Sequence, residues 1–386
     1  MFYLCICRFG RFVAVSCKIA AHLSQNDRHT VARRPILYIM SVVLTYTSAL
    51  EALRLPEYPD LASSWDERSG YLSERLPTVD ELERALADCP PLQRLSRPIH
   101  LLVSSDNTSH SSKLVTRHVT RRAHPRDAFV RISGDVYVAS PELIPLQMAR
   151  TATDLDEALL MSELCGAYAV AEREESGMLQ RREPMKTRGR IEAFLPRMRD
   201  CYGMGKVRSA LPLVCADSGS PYESKLAIRL RADREIGGYG LKIVSMNEEI
   251  SLEAIGRAFE ERRIRKPDIL ILAPPTIEPD PRMPFRGVAV DYKGKVHDER
   301  PVAERDDTRR NELLAHGFKP YELRKAHYDD IDYMDDIVTK IRRDLRLPSD
   351  DLAFGRAQRV ALHDALELVD GVRWGRVTIP DPSDYR

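Results

Sequence analysis

The sequence predicts an α/β fold, with a mixed sheet flanked by helices in the C-terminal half and an α+β domain before it. Short β-branched runs alternate with helical periodicity beyond residue 218. A second group of strand-like runs, bounded by Ser, Asn, Gly and Pro, lies between residues 99 and 138. The chain has 386 residues, 43% of them hydrophobic, which at roughly 100–200 residues per domain suggests two cores. This composition excludes collagen, coiled coil and wholesale disorder.

In chain order, residues 1–34 read as a poorly structured or overextended N-terminus. Arg8, Arg11 and Lys18 break its apolar stretches, so none reaches the roughly 18–20 residues of a membrane span or the single apolar core of a signal peptide. Residues 35–175 form the expected α+β domain. TYTSALEALR offers Thr47 or Ser48 as a helix cap with Glu51 following, and Thr78 opens a helix over residues 79–87 that Cys89-Pro90-Pro91 ends. IHLLV, KLVTRHVT and VYVA then read as strands of a small β unit. A long helix follows, with Ser140 as its cap before Pro141. Residues 176–217 are polar and basic, an expected helical linker.

Residues 218–348 change character. SPYESKLAIRLR is a helix with Pro221 in its first turn and Gly-Gly beyond its end. DILILA and GVAVDYKG have strand length and composition, ERDDTRRNELLAHG is a helix stopped by Gly317, and FKPYELR is a strand. A closing helix turns Ile331, Met334, Ile337, Val338, Ile341 and Leu345 inward. Residues 349–386 hold one more helix and a tail.

The seven cysteines are odd in number and lack paired C-x-x-C spacing; Cys5 and Cys7 have no second pair nearby. They read as reduced thiols of a cytoplasmic protein without a membrane segment. With 59 Lys plus Arg against 58 Asp plus Glu, net charge recruits no acidic partner, so nucleic acid must be met by a local basic patch.

Chemistry concentrates at two strand ends. Asp268, in Lys266-Pro267-Asp268, and Asp291, in Asp291-Tyr292-Lys293, can hold a divalent metal beside a phosphate, since magnesium takes hard oxygen ligands and keeps several waters. Positions two apart on a strand share a face, so Asp291 and Lys293 point into one site and Tyr292 away from it. Lys293 and the metal then offset charge on a phosphate. Other Pro-Asp pairs, and Glu223-Ser224-Lys225, lack the strand context.

Together these pieces, SPYESKL, PDILIL, VAVDYKG, GKVHDE and RDDTRRNELLAHGF in that order, resemble the PD-(D/E)XK endonuclease superfamily over residues 218–346, and most closely its Vsr-like branch. The resemblance implies a restriction-endonuclease-like sheet and magnesium- or manganese-dependent DNA cleavage. It implies Asp268 and Asp291 as metal ligands, Lys293 as the catalytic lysine and Glu223 as an accessory acid. His297, Asp306 and Arg309 follow as supporting polar residues. Relatives in this branch often carry Glu-x-Asp where this chain has Asp291-Tyr292-Lys293. A proline-rich insert over 274–284 separates the two strands, and Pro320 suggests that the last strand lies at an edge.

The region from SRPIHLLV through FVRISGDVYVASPELIPLQMAR resembles the part that follows the winged helix in abortive-infection antitoxin-type regulators. Arg117, His118, Arg121, Arg122, His124 and Arg126 crowd one segment, and Arg181, Arg182, Lys186, Arg188 and Arg190 another. Of these, Arg117, Arg121, Arg122 and Arg188 are the expected phosphate contacts. The chain therefore reads as a DNA endonuclease of phage defence or repair. The alternative is a non-catalytic, antitoxin-like DNA-binding regulator that keeps a degenerate nuclease fold. A homodimer, or a partner protein of a toxin or defence system, fits either reading.

Overall fold

The structure, a computed structural model, describes residues 42–65, 67–105, 113–171, 174, 177–180, 183–198, 201–243, 245–253, 262–275, 285–293, 300–349, 352 and 354–368; at 252–253, 262–263 and 300–306 it describes the backbone alone. The expectations for residues 1–34, for Cys5 and Cys7, and for His297 lie outside the described residues.

Strand β1 (Val42–Leu44) leads into α1 (Tyr46–Arg54), followed by α2 (Tyr58–Trp65), β2 (Arg68–Ser69) and α3 (Val79–Ala87). Thr78 and Glu81 form a reciprocal capping box at α3, as their spacing predicts, which satisfies two otherwise orphaned amides. Neither Thr47 nor Ser48 caps α1; both lie inside it, and Thr45 occupies the cap position without a side-chain bond. Next come β3 (Ile99–Val103), β4 (Val115–Val119), β5 (Phe129–Ser133) and β6 (Val136–Ala139). They complete a six-stranded sheet in the order β2-β5-β6-β1-β3-β4, larger than the unit expected. The short β1 is defined by its parallel pairing with β6 and its antiparallel contact with β3, partners far away in sequence.

Ser140 does not open a long helix. Its carbonyl accepts the amides of Leu143 and Ile144 in a turn, and α4 (Ile144–Met148) begins only there. Thr153, boxed with Asp156, starts the separate α5 (Asp154–Cys165). The chain then leaves the helix as β7 (Tyr168–Val170), paired with β8 (Met178–Gln180). Arg54 of α1 grips buried Glu163 of α5 with two bonds of 2.8 and 2.6 Å, and Glu163 also accepts the Val170 amide at 3.0 Å. The expected linker is packed instead: α6 (Arg188–Phe194) and α7 (Met204–Ala210) bury Ile191, Phe194, Val207 and Ala210 in the core. These apolar positions, rather than the intervening arginines, determine where the helices lie.

The C-terminal half runs through α8 (Pro221–Arg231), β9 (Ser245–Met246), the hairpin β10 (Ile250–Glu253) and β11 (Arg262–Arg265), β12 (Ile269–Leu272), β13 (Gly287–Lys293), α9 (Arg300–Ala315) and β14 (Phe318–Arg324). Helices α10 (Lys325–Asp329), α11 (Ile331–Asp344) and α12 (Arg356–Leu368) close it. Its mixed sheet has the order β14-β13-β12-β9, antiparallel from β9 to β13 and parallel between β13 and β14. Gly317, at φ 77°, makes the left-handed turn between α9 and β14 that a side chain would strain. Pro320 sits on an edge strand, where a missing amide is tolerated. All six expected apolar positions of α11 and its end are buried.

One hydrophobic core links residues from Val42 to Leu366, so no break in packing marks the expected boundary at residue 218. All described residues fall in the single compact unit Met40–Arg386. No helix among them is long and apolar enough to cross a membrane, and Cys89, Cys165, Cys201 and Cys215 are free thiols.

Candidate functional site

Ser220 caps α8 and accepts the Glu223 amide at 3.2 Å, with Pro221 at the first helical position, so the sequence itself delivers Glu223 to the first turn. The Glu223 carboxylate is then pinned by two donors on one oxygen: the Gly219 amide at 2.7 Å and Asn247 Nδ2 at 2.8 Å. A Cβ on Gly219 would come within 3.2 Å of both carboxylate oxygens, so glycine lets the loop approach. Asn247 adopts φ 50°, a left-handed turn that asparagine tolerates, and its amide donates to the Asp268 carbonyl at 3.1 Å. One residue thus joins the end of β9 to both acids.

Asp268 and Asp291 clasp each other across β12 and β13. The Asp268 amide donates to Asp291 Oδ1 at 3.1 Å, and the Tyr292 amide donates to Asp268 Oδ2 at 2.6 Å. Arg309, on α9, donates through Nη2 to Asp291 Oδ1 and to the Lys266 carbonyl, each at 2.9 Å. Tyr292 faces the other way and stacks on Tyr222, ring centroids 5.3 Å apart, as strand alternation requires. Lys293 lies close enough for its charge to pull the Asp291 titration downward.

Three carboxylates therefore converge from segments far apart in sequence. Asp291 is 5% exposed and Glu223 9%, whereas Asp268 is half-buried. Loss of hydration pushes the Asp268 carboxyl well above the usual range, and the charges of Glu223 and Asp291 push it further. Burial also raises Asp291, against the pull of Arg309, and raises Glu223, against its hydrogen bonds to Asn247 and Gly219. The cluster is short of positive charge.

Among the described residues, no group of three or more His, Cys, Asp and Glu side chains is arranged to hold a metal ion. Asp268 Oδ1 and Asp291 Oδ2, however, make no hydrogen bond to a described residue. Two uncommitted hard oxygens beside a crowded negative charge fit magnesium, which uses one or two carboxylates and fills the rest of its shell with water.

The structure thus brings Glu223, Asp268, Asp291, Lys293 and Arg309 together. Arg309, expected only as support, touches Asp291 directly. Asp306 lies on α9 with its side chain outside the described part. Gly219 and Asn247 were not expected; asparagine after a short strand is a turn signal, but its carboxylate partner is 24 residues away.

The expected phosphate contacts separate. Arg117 lies half-buried on β4, Arg121 and Arg122 are exposed beyond it, and Arg188 lines a pocket with residues of the C-terminal half. The histidines in the first basic segment carry no charge at neutral pH. His118 Nε2 lies 2.9 Å from His100 Nδ1 and its ring stacks on Tyr46; burial lowers its pKa to about 3, that of His100 to about 4, and that of His124 as well. No known protein family, curated protein or solved structure matches this chain.

Proposed function

We propose that the chain is a metal-dependent DNA endonuclease, resembling the PD-(D/E)XK superfamily and its Vsr-like branch. The convergence of Glu223, Asp268 and Asp291 beside Lys293 carries this reading. A mixed sheet between helices, with both aspartates at adjoining strand ends, supports it further. Asp268 and Asp291 would hold magnesium or manganese, which offsets charge on the scissile phosphate and acidifies bound water. Lys293 offers a cation to the phosphate or to the attacking water from the face it shares with Asp291. Glu223, held by Gly219 and Asn247, accepts a proton or orients water. Arg309 holds Asp291 through Oδ1 and leaves Oδ2 for the metal.

Nicking of supercoiled plasmid with magnesium or manganese tests this. Nicking by the wild type and none by Asp291→Ala or Lys293→Ala, with unchanged circular dichroism, is the expected result. Undiminished nicking by Asp291→Ala overturns the proposal.

One observation favours a second reading, a non-catalytic DNA-binding regulator with an antitoxin-like N-terminal half. The Arg309 guanidinium already partly neutralises Asp291, as an internal cation does in a retained scaffold. Salt-dependent DNA binding, with no cleavage under any divalent metal, selects it.

A further inference from the structure

Two adjoining surface pockets of about 460 and 370 Å³ share Arg188 and Pro212. The larger is lined by apolar Pro212, Val214, Ala216, Ile243 and Met246, of which Val214, Ile243 and Met246 are buried and stand as its floor. Its lining also carries Arg188, Arg231 and Lys242, against one acid, Asp217. None of the three cations forms an ion pair with a described carboxylate; Arg231 is instead fixed by donating to the Val214 carbonyl at 2.7 Å. Ser245, also in the wall, has a buried hydroxyl without a hydrogen-bond partner.

Position gives the pocket its meaning. Asp217 is two residues before Gly219, and Ser245 two before Asn247, the two residues that hold the Glu223 carboxylate. Two residues of chain span at most about 7 Å, so the pocket wall and the carboxylate site are neighbours along both segments. An apolar floor accepts the face of a base, and unpaired cations accept a phosphate. A base stacked in a duplex cannot reach such a recess; an unpaired or extruded one can.

We infer that this pocket seats one unpaired nucleotide of the strand presented to the carboxylates, with its base on the Val214–Ile243–Met246 floor and its phosphate on Arg188 and Lys242. The inference rests on the nuclease reading and narrows its substrate to strands with single-stranded or flipped nucleotides.

Fluorescence anisotropy in EDTA, where no metal is available for cutting, measures it with a labelled single-stranded 12-mer and its duplex. Losing the one phosphate that these two cations hold lowers the salt slope of single-stranded binding by about 0.7, or about 5-fold in affinity at 0.1 M salt. The doubly substituted Arg188→Ala, Lys242→Ala protein should show that loss for the single strand and little change for the duplex. Ala216→Leu, which fills the pocket without touching charge, should weaken the single strand at an unchanged slope. Arg343→Ala, at a surface arginine with 65% of its side chain exposed, should change neither. A free deoxynucleoside monophosphate should compete better than inorganic phosphate at equal concentration. Wild-type affinity and slope in the double variant, or equal losses for single strand and duplex, overturn the inference. Failure of the nuclease reading shows elsewhere, in the plasmid assay with Asp291→Ala.

Discussion

Replacing Asp268 with asparagine should make the protein more stable while destroying its activity. Around Asp268 and Asp291 the structure sets four carboxylates, Glu223, Asp268, Asp291 and Glu322, against two cations, Arg309 and Lys293. The Asp268→Asn variant would leave three carboxylates against the two cations, and the new amide oxygen can still accept the Tyr292 amide that Asp268 Oδ2 now takes at 2.6 Å. No hydrogen bond is lost and one unfavourable buried charge disappears. Substitutions that relieve strained functional sites typically add about 0.5–2 kcal/mol. At about 1.5 °C per kcal/mol, the scale for one cooperative unit of roughly 330 residues, Tm should rise by about 1–3 °C. The gain must depend on pH. A carboxyl whose folded pKa is raised imposes no penalty below its unfolded value of about 3.9, and the penalty grows as pH rises through the folded value. Urea and thermal melts at pH 8 should therefore separate the variant from the wild type, and melts near pH 3.5 should bring them together. Magnesium should stabilise the wild type more than the variant, because only the wild type keeps both ligands. An unchanged or lowered Tm at pH 8, or a gain independent of pH, refutes the reasoning.

Two further predictions concern the N-terminal half. Arg54→Ala strips two charge-assisted bonds from buried Glu163, so urea denaturation should show a loss of up to about 3–5 kcal/mol, whereas Arg54→Met combined with Glu163→Leu should recover most of it. Because burial holds His100 and His118 at about 4 and about 3, their ring resonances should not titrate between pH 5 and 8; a midpoint near 6.5 for either would contradict the packed pair.

Legibility in the sequence followed the range of the interactions. Helix α3 has its signals within four residues, Thr78 to Glu81, and strand β14 matches FKPYELR from end to end. Asp268, Asp291 and Lys293 were legible because strand alternation assigns them a face before any tertiary contact exists. Strand β1 was not, since three apolar residues become a central strand only through partners at Leu101 and Val136. Ser140 misled because Ser-Pro is a helix-start signal, and here the same residues form a turn whose helix waits until Ile144. The segment at 188–210 looked like a linker because its arginines are conspicuous and its buried Ile191, Phe194 and Val207 are sparse. Asn247 acts at long range and left no local trace beyond its tendency to turn.

Pro320 has a consequence for assembly. β14 pairs with β13 without interruption from Phe318 to Arg324, so the amide that proline lacks belongs to the outer side of the sheet. A foreign strand arriving there meets a gap in the row of donors, beside Lys319, whose ammonium pairs with Asp344 at 3.3 Å. Both features oppose edge-to-edge polymerisation. The side of the sheet that follows the Asp291 strand is thus protected against the addition of a templating strand.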